Sequence, residues 1–136
     1  NDARAASYSD GNYGYQVQMG DKNLSILNQA GKDHEAYTYQ YGDDNKTAVK
    51  QHSAYGDDRN LTVVQVYGNE NDNHIEQDGS NNYTNLYVVG DGNVALSDPN
   101  SIWSDGIRQF GDQMSNMNNS MVIQNGNFNN SSVIQQ

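Results

Sequence analysis

Residues 12–51 read NYGYQVQ, MGDK, NLSILNQ, AGKD, HEAYTYQ, YGDD, NKTAVKQ. The seven-residue arms open at Asn12, Asn23, His34 and Asn45, a period of 11. After the longer link HSAYGDDR the same spacing resumes at Asn60, Asn71, Asn82 and Asn93. A weaker unit, WSDGIRQ, opens at Trp103, and after FGDQMSNM two more arms open at Asn118 and Asn129. The template is Asn, x, small, x, aliphatic, x, Gln, with Asn opening nine of the eleven arms and Gln closing eight. The chain has only twelve Gln in all, so this placement is not a product of composition. A fixed period of this length marks a repeat architecture.

Within an arm the constrained positions alternate, which is the strand period and not the helical one. The third position is small in nearly every arm: Gly14, Ser25, Ala36, Thr47, Thr62, Thr84, Ala95, Ser120 and Ser131, with Asn73 and Asp105 as exceptions. The fifth is mostly a branched aliphatic: Leu27, Val49, Val64, Ile75, Leu86, Ile107, Val122 and Val133. Residues between them vary freely, so the constrained face is expected inside. Gly falls two residues past the arm at Gly20, Gly31, Gly42, Gly68, Gly79, Gly90, Gly111 and Gly126. With Asp, Asn and Lys beside them, these are the expected turn glycines.

A strand, a tight reversal and a second strand make a unit of about 22 residues. Its two arms oppose each other, small third positions against aliphatic fifth positions, which fills a narrow interior without clash. One unit cannot bury its own apolar face, but stacked units can. The expected fold is therefore all-β, a β-solenoid of cross-β character. Residues 1–11 form an N-terminal segment that allows an extra strand from Asn1, and 12–136 form a single repeat domain.

Stacking would turn the recurrent amides into columns. The expected ladder comprises Gln18, Asn23, Gln29, Gln40, Asn45, Gln51, Asn71, Gln77, Gln109, Asn118, Gln124, Asn129 and Gln135. An unpaired buried amide costs roughly 1–3 kcal/mol, and a column removes that cost only while stacking continues. The last arm runs on pattern to Gln135, with no capping segment evident, and an uncapped rung is a template for another copy. Head-to-tail contacts of this kind do not close on themselves and yield filaments.

Composition narrows the alternatives. Hydrophobic residues make up 34%, with ten Tyr, one Pro and no Cys, so neither a large apolar core nor a disulfide framework is available. The net charge of −10 disfavours nucleic acid and anionic membrane surfaces, and no apolar run has transmembrane length. The chain opens NDARAAS with no visible leader, as cytosolic chains do and as secreted chains do once the leader is removed. His34, His52 and His74 are not accompanied by a positioned nucleophile, so no enzymatic activity and no cofactor are expected. Asp72, His74, Glu76 and Asp78 could in principle hold a metal, but an exposed polar strand face accounts for them. GDGN at 90–93 is similar to the turns of calcium-binding β-rolls, whose period is nine residues and not eleven. The link aspartates, Asp21, Asp33, Asp43, Asp44, Asp57, Asp58, Asp91 and Asp112, read as turn formers that also slow premature association. The outward Tyr37, Tyr39, Tyr83 and Tyr87 suit either a half-buried β surface or lateral contact and adhesion.

The pattern QxGxxNxxxxxQ occurs at Gln18, Gly20, Asn23 and Gln29, again at Gln40, Gly42, Asn45 and Gln51, and again at Gln124, Gly126, Asn129 and Gln135. It resembles the curlin repeat of bacterial curli subunits, over nearly the whole chain from Asn12. Val66 and Val88 depart from it by replacing Gln, Pro99 interrupts an arm, and two links are four residues longer than the rest. The resemblance implies a secreted subunit of extracellular, amyloid-like biofilm fibres, with a nucleator subunit and outer-membrane secretion machinery as partners. The regular arms and acidic balance suit the major subunit better than the nucleator. The competing function is a monomeric β-solenoid that binds a surface or polysaccharide as an adhesion module. That class would show a regular outward row of Thr or similar residues.

Overall fold

The computed structural model describes residues 1–53, 59–79, 81–95, 111–113, 119–126 and 133–135. The described residues form no helix, and their strands build a β-solenoid. The strands are β1 (Asp2–Ser7), β2 (Tyr13–Met19), β3 (Leu24–Ala30), β4 (Glu35–Tyr41), β5 (Lys46–His52) and β6 (Leu61–Tyr67), followed by β7 (Asp72–Asp78), β8 (Tyr83–Val89), β9 (Val94–Ala95), β10 (Gly111–Gln113), β11 (Asn119–Asn125) and β12 (Val133–Gln135). Odd and even arms separate into two sheets, β1-β3-β5-β7-β10-β12 with β9 also on β7, and β2-β4-β6-β8-β11. Every pairing among the described strands is parallel, and all except those of β10 place like template positions together: Leu27 beside Val49, Gln29 beside Gln51, Thr62 beside Thr84. Residues 2–7 belong to this stack, with Ala3 beside Ser25 and Ser7 beside Gln29.

The two sheets meet through the third and fifth positions. Ser25 Oγ lies 3.0 Å from Thr38 Oγ1 across the interior. Gly14 faces Leu27 so closely that a Cβ there would sit 2.3 Å from Leu27 Cδ2. The buried apolar residues are Leu27, Ala36, Val49, Val64, Val66, Ile75, Leu86 and Val88. Each of the Leu, Val and Ile side chains contributes up to about 1.5–3 kcal/mol. Buried polar side chains outnumber them, eighteen to eight among the described residues, so the fold depends on satisfying amides and hydroxyls as much as on apolar burial. Asn73, the oversized third-position residue, is 1% exposed, and its Oδ1 has no hydrogen-bond partner among the described residues.

One stretch departs from the expected repeat. Arms were expected at 93–99 and 103–109, the second closing on Gln109 with Gly111 in the following turn. Instead Val94 and Ala95 pair with Asp72 and Asn73, while Asp112 and Gln113 pair with Glu76 and Gln77. Two separate segments thus share the edge of one strand. Gly111 is no turn glycine: it lies in β10 opposite Val133. The physical reason lies at the closing position. An arm ending on Pro99 would bring neither an N–H nor an amide there, whereas Gly-Asp-Gln supplies both. Residues 103–109, including Gln109, lie outside the described residues.

The outward faces differ in character. On the odd sheet, Lys46, Lys50 and His52 stand opposite Asp72, Glu76 and Asp78, and Lys50 forms an ion pair with Glu76. His74, considered above as a metal ligand, stands opposite Ala48 within this charge-matched array. The even sheet presents tyrosines instead, with ring contacts Tyr13–Tyr37, Tyr15–Tyr39, Tyr41–Tyr67 and Tyr67–Tyr87. Burial, with the Glu35 carboxylate alongside, holds the Tyr37 hydroxyl above the usual tyrosine range.

Candidate functional site

The residues that recur in every turn of the solenoid form columns parallel to its axis. On the odd sheet Gln29 Nε2 donates to Gln51 Oε1 at 3.0 Å, and Gln51 Nε2 donates to Gln77 Oε1 at 2.9 Å. Gln113 and Gln135 occupy the same register position in β10 and β12. On the even sheet Gln18 Nε2 donates to Gln40 Oε1 at 2.9 Å. That column then meets the fully buried Val66 and Val88, and Gln124 stands at the matching position of β11.

Five of these glutamines also cross the interior to a carbonyl of the facing sheet. Gln18 donates to Asp2 O, Gln29 to Tyr13 O, Gln40 to Leu24 O, Gln51 to Glu35 O and Gln77 to Leu61 O, at 2.9–3.2 Å. These amides therefore tie the rungs along the axis and the two sheets across it.

The arm-opening asparagines build a second set. The backbone N–H of Asn45 donates to Asn23 Oδ1 at 3.0 Å, that of Asn71 to Asn45 Oδ1 at 3.2 Å, and that of Asn93 to Asn71 Oδ1 at 2.9 Å. Their Nδ2 groups reach the turn glycines of the adjoining rung: Asn23 to Gly42 O, Asn45 to Gly68 O and Asn71 to Gly90 O, at 2.7–2.9 Å. Asn12, His34, Asn60 and Asn82 form the corresponding column on the even sheet. Asn118 and Asn129 lie outside the described residues.

His34 takes an asparagine's place in that column. It is fully buried, its Nδ1 accepts the Asn60 N–H at 3.2 Å, and its Nε2 lies 3.2 Å from Ala30 O and 3.3 Å from Ser53 Oγ. With Nδ1 accepting, the ring proton sits on Nε2, so this imidazole has no free lone pair facing Ser53 and is no general base for it. The pair is a packing device of the column.

The turns are fixed by the same stacking. Gly20, Gly31, Gly42, Gly68, Gly79, Gly90 and Gly126 all have positive φ. Space excludes a side chain as well: a Cβ on Gly20, Gly42 or Gly68 would lie 2.0–2.1 Å from the carbonyl oxygen of the next glycine in the stack. The position after each of these glycines carries a further column, not anticipated from the sequence. Asp21 N–H donates to Asp43 Oδ1, Asp43 N–H to Asn69 Oδ1 and Asn69 N–H to Asp91 Oδ1, at 2.7–2.8 Å. The recurrence of Asp or Asn after Gly was its only signal, and the same residues are equally expected from turn preference alone.

Comparison with known proteins adds no relative: no family model matches the chain, and no curated protein or solved structure shows a significant match.

What the arrangement does chemically is to propagate. Interior members of the columns, Gln51, Asn45 and Asn71, each donate to one neighbouring rung and accept from the other, whereas the even-sheet glutamine column stops at Val66.

Proposed function

We propose that this chain is a structural subunit that polymerises head to tail into extracellular, amyloid-like fibres of the curli type. The observation that carries this reading is the Gln29–Gln51–Gln77 ladder, a column of buried amides in parallel register. A rung at the end of such a stack offers unpaired strand edges and unpaired amides, and the partner that matches them in spacing is another rung of this repeat. The acidic balance and the absence of cysteine suit a fibre stabilised by stacking and not by disulfides. On the sequence resemblance, the chain is the major subunit of a biofilm fibre, secreted across the outer membrane and started by a nucleator subunit.

The test is negative-stain microscopy and fibre diffraction on purified protein left at room temperature. Unbranched fibres with an axial repeat of about 4.8 Å are expected. A protein that stays monomeric at high concentration, and is not elongated by added seeds, would overturn the proposal in favour of a solitary binding module.

A further inference from the structure

Among the tyrosine ring pairs on the even sheet's outward face, Tyr13–Tyr37, Tyr15–Tyr39, Tyr41–Tyr67 and Tyr67–Tyr87, one differs in kind. Tyr41 and Tyr67 stack with centroids 4.9 Å apart and ring planes only 3° from parallel. The other three pairs are tilted by 48–53° with centroids 5.7–5.9 Å apart. Tyr41 and Tyr67 are direct register partners at the ends of β4 and β6. Each is followed at once by a turn glycine, and Gly68 N–H donates to Tyr41 O at 2.9 Å. That stacked turn leaves the two rings little freedom to separate. Tyr67 is 37% exposed, open to a small oxidant or to the edge of an enzyme.

We propose that Tyr41 and Tyr67 are a site of oxidative dityrosine cross-linking, with a peroxidase and hydrogen peroxide as the class of oxidant. Each phenol gives up one electron and its hydroxyl proton and becomes a phenoxyl radical. The two radicals join through ring carbons ortho to the oxygens, forming one C–C bond. Each of those carbons then releases its proton while its oxygen takes one up, restoring both aromatic rings. The net loss is two electrons and two protons, and hydrogen peroxide accepts both and leaves as two waters. Radical coupling needs the partner ring in place before the radical is quenched, which favours the pair already face to face. The bond would join two successive rungs and close a loop containing β5 and the long link after it. Cross-links that close loops restrict the unfolded chain, so the product resists denaturation. The proposal concerns the folded chain and does not depend on fibre formation.

The test treats dilute, folded protein with a peroxidase and hydrogen peroxide, then maps cross-linked peptides by fragmentation mass spectrometry. The expected product is intramolecular, lighter by two hydrogens, joined between Tyr41 and Tyr67, and raised in denaturant midpoint. Tyr41→Phe and Tyr67→Phe keep the rings but remove a phenol, and each should abolish that product. Tyr15→Phe, at a residue more exposed than Tyr67 and in a tilted pair, should leave its yield unchanged. In denaturant the selectivity should disappear. Cross-links spread over Tyr8, Tyr13 and Tyr15 in order of exposure would overturn the assignment, as would the same Tyr41–Tyr67 yield from unfolded chain.

Discussion

Gln29 and Gln51 stand one above the other on the odd sheet, and the Nε2 of the first donates to the Oε1 of the second at 3.0 Å. Gln51 passes the pattern on to Gln77 at 2.9 Å while also donating to Glu35 O and, at 3.2 Å, to Thr62 Oγ1. A single amide therefore joins three rungs and both sheets.

Replacing it should be costly. Gln51→Leu keeps the volume and strands the Gln29 amide hydrogen, the Gln77 oxygen and the Glu35 carbonyl in part. At roughly 1–3 kcal/mol for a buried polar group left unsatisfied, a loss of about 3 kcal/mol is expected. Equilibrium denaturation checks this, and a loss below about 1 kcal/mol would show that the column adds little to stability.

Two substitutions in one turn should act with opposite sign. Gly42 has φ of 117°, and an added Cβ would lie 2.0 Å from Gly68 O, a backbone atom that cannot move aside cheaply. Gly42→Ala is expected to cost about 3 kcal/mol or more. Asp44 in the same turn is a non-glycine residue at φ 57°, so Asp44→Gly should relieve left-handed strain and leave stability level or up to about 1 kcal/mol higher. Thermal melts of both variants side by side give the comparison.

The column of turn side chains separates charge from hydrogen bonding. Asp43 Oδ1 accepts the Asp21 N–H at 2.7 Å, and in the next rung Asn69 does the same for Asp43 with no charge. Asp43→Asn should therefore keep the bond, lower the repulsion along the column and shorten the lag of fibre growth at low salt. Asp43→Ala loses the acceptor and should destabilise by about 1 kcal/mol. Growth curves at low and high salt read the charge effect, which salt should erase. An unchanged lag for Asp43→Asn at low salt would show that these carboxylates do not slow association.

Asp72 gives the protein a predictable acid response. Burial raises its carboxyl above the ordinary value of 3.8, with Lys46 and His74 pulling it partly back. A raised folded-state value means that the folded chain binds the proton more tightly than the unfolded chain. The stabilisation is fully present below 3.8 and is lost as pH rises through the raised value. Asp72→Asn should remove that dependence, so its stability relative to wild type should climb with pH across this window. A constant difference between the two proteins would count against the burial argument.

The period of 11, the inward third and fifth positions, the turn glycines other than Gly111, and the amides Gln18, Asn23, Gln29, Gln40, Asn45, Gln51, Asn71 and Gln77 were legible in the sequence. The reason is local. A strand alternates its side chains and a tight turn needs glycine, so each arm states its own face and its own ends. What the tertiary structure alone decided is non-local. Gly111–Gln113 belong to the strand begun by Val94–Ala95 because β7 offers one edge to both segments, and a three-residue run carries no periodicity of its own. The match of Lys46 and Lys50 to Asp72 and Glu76, and the acceptance of the Asp21 N–H by Asp43, likewise exist only once one turn of the solenoid lies on the next. Spacing along the chain fixed what each arm is. Hydrogen bonding between arms fixed which one lies on which, because a parallel strand's partner is chosen by the edge it meets and not by its neighbours in sequence.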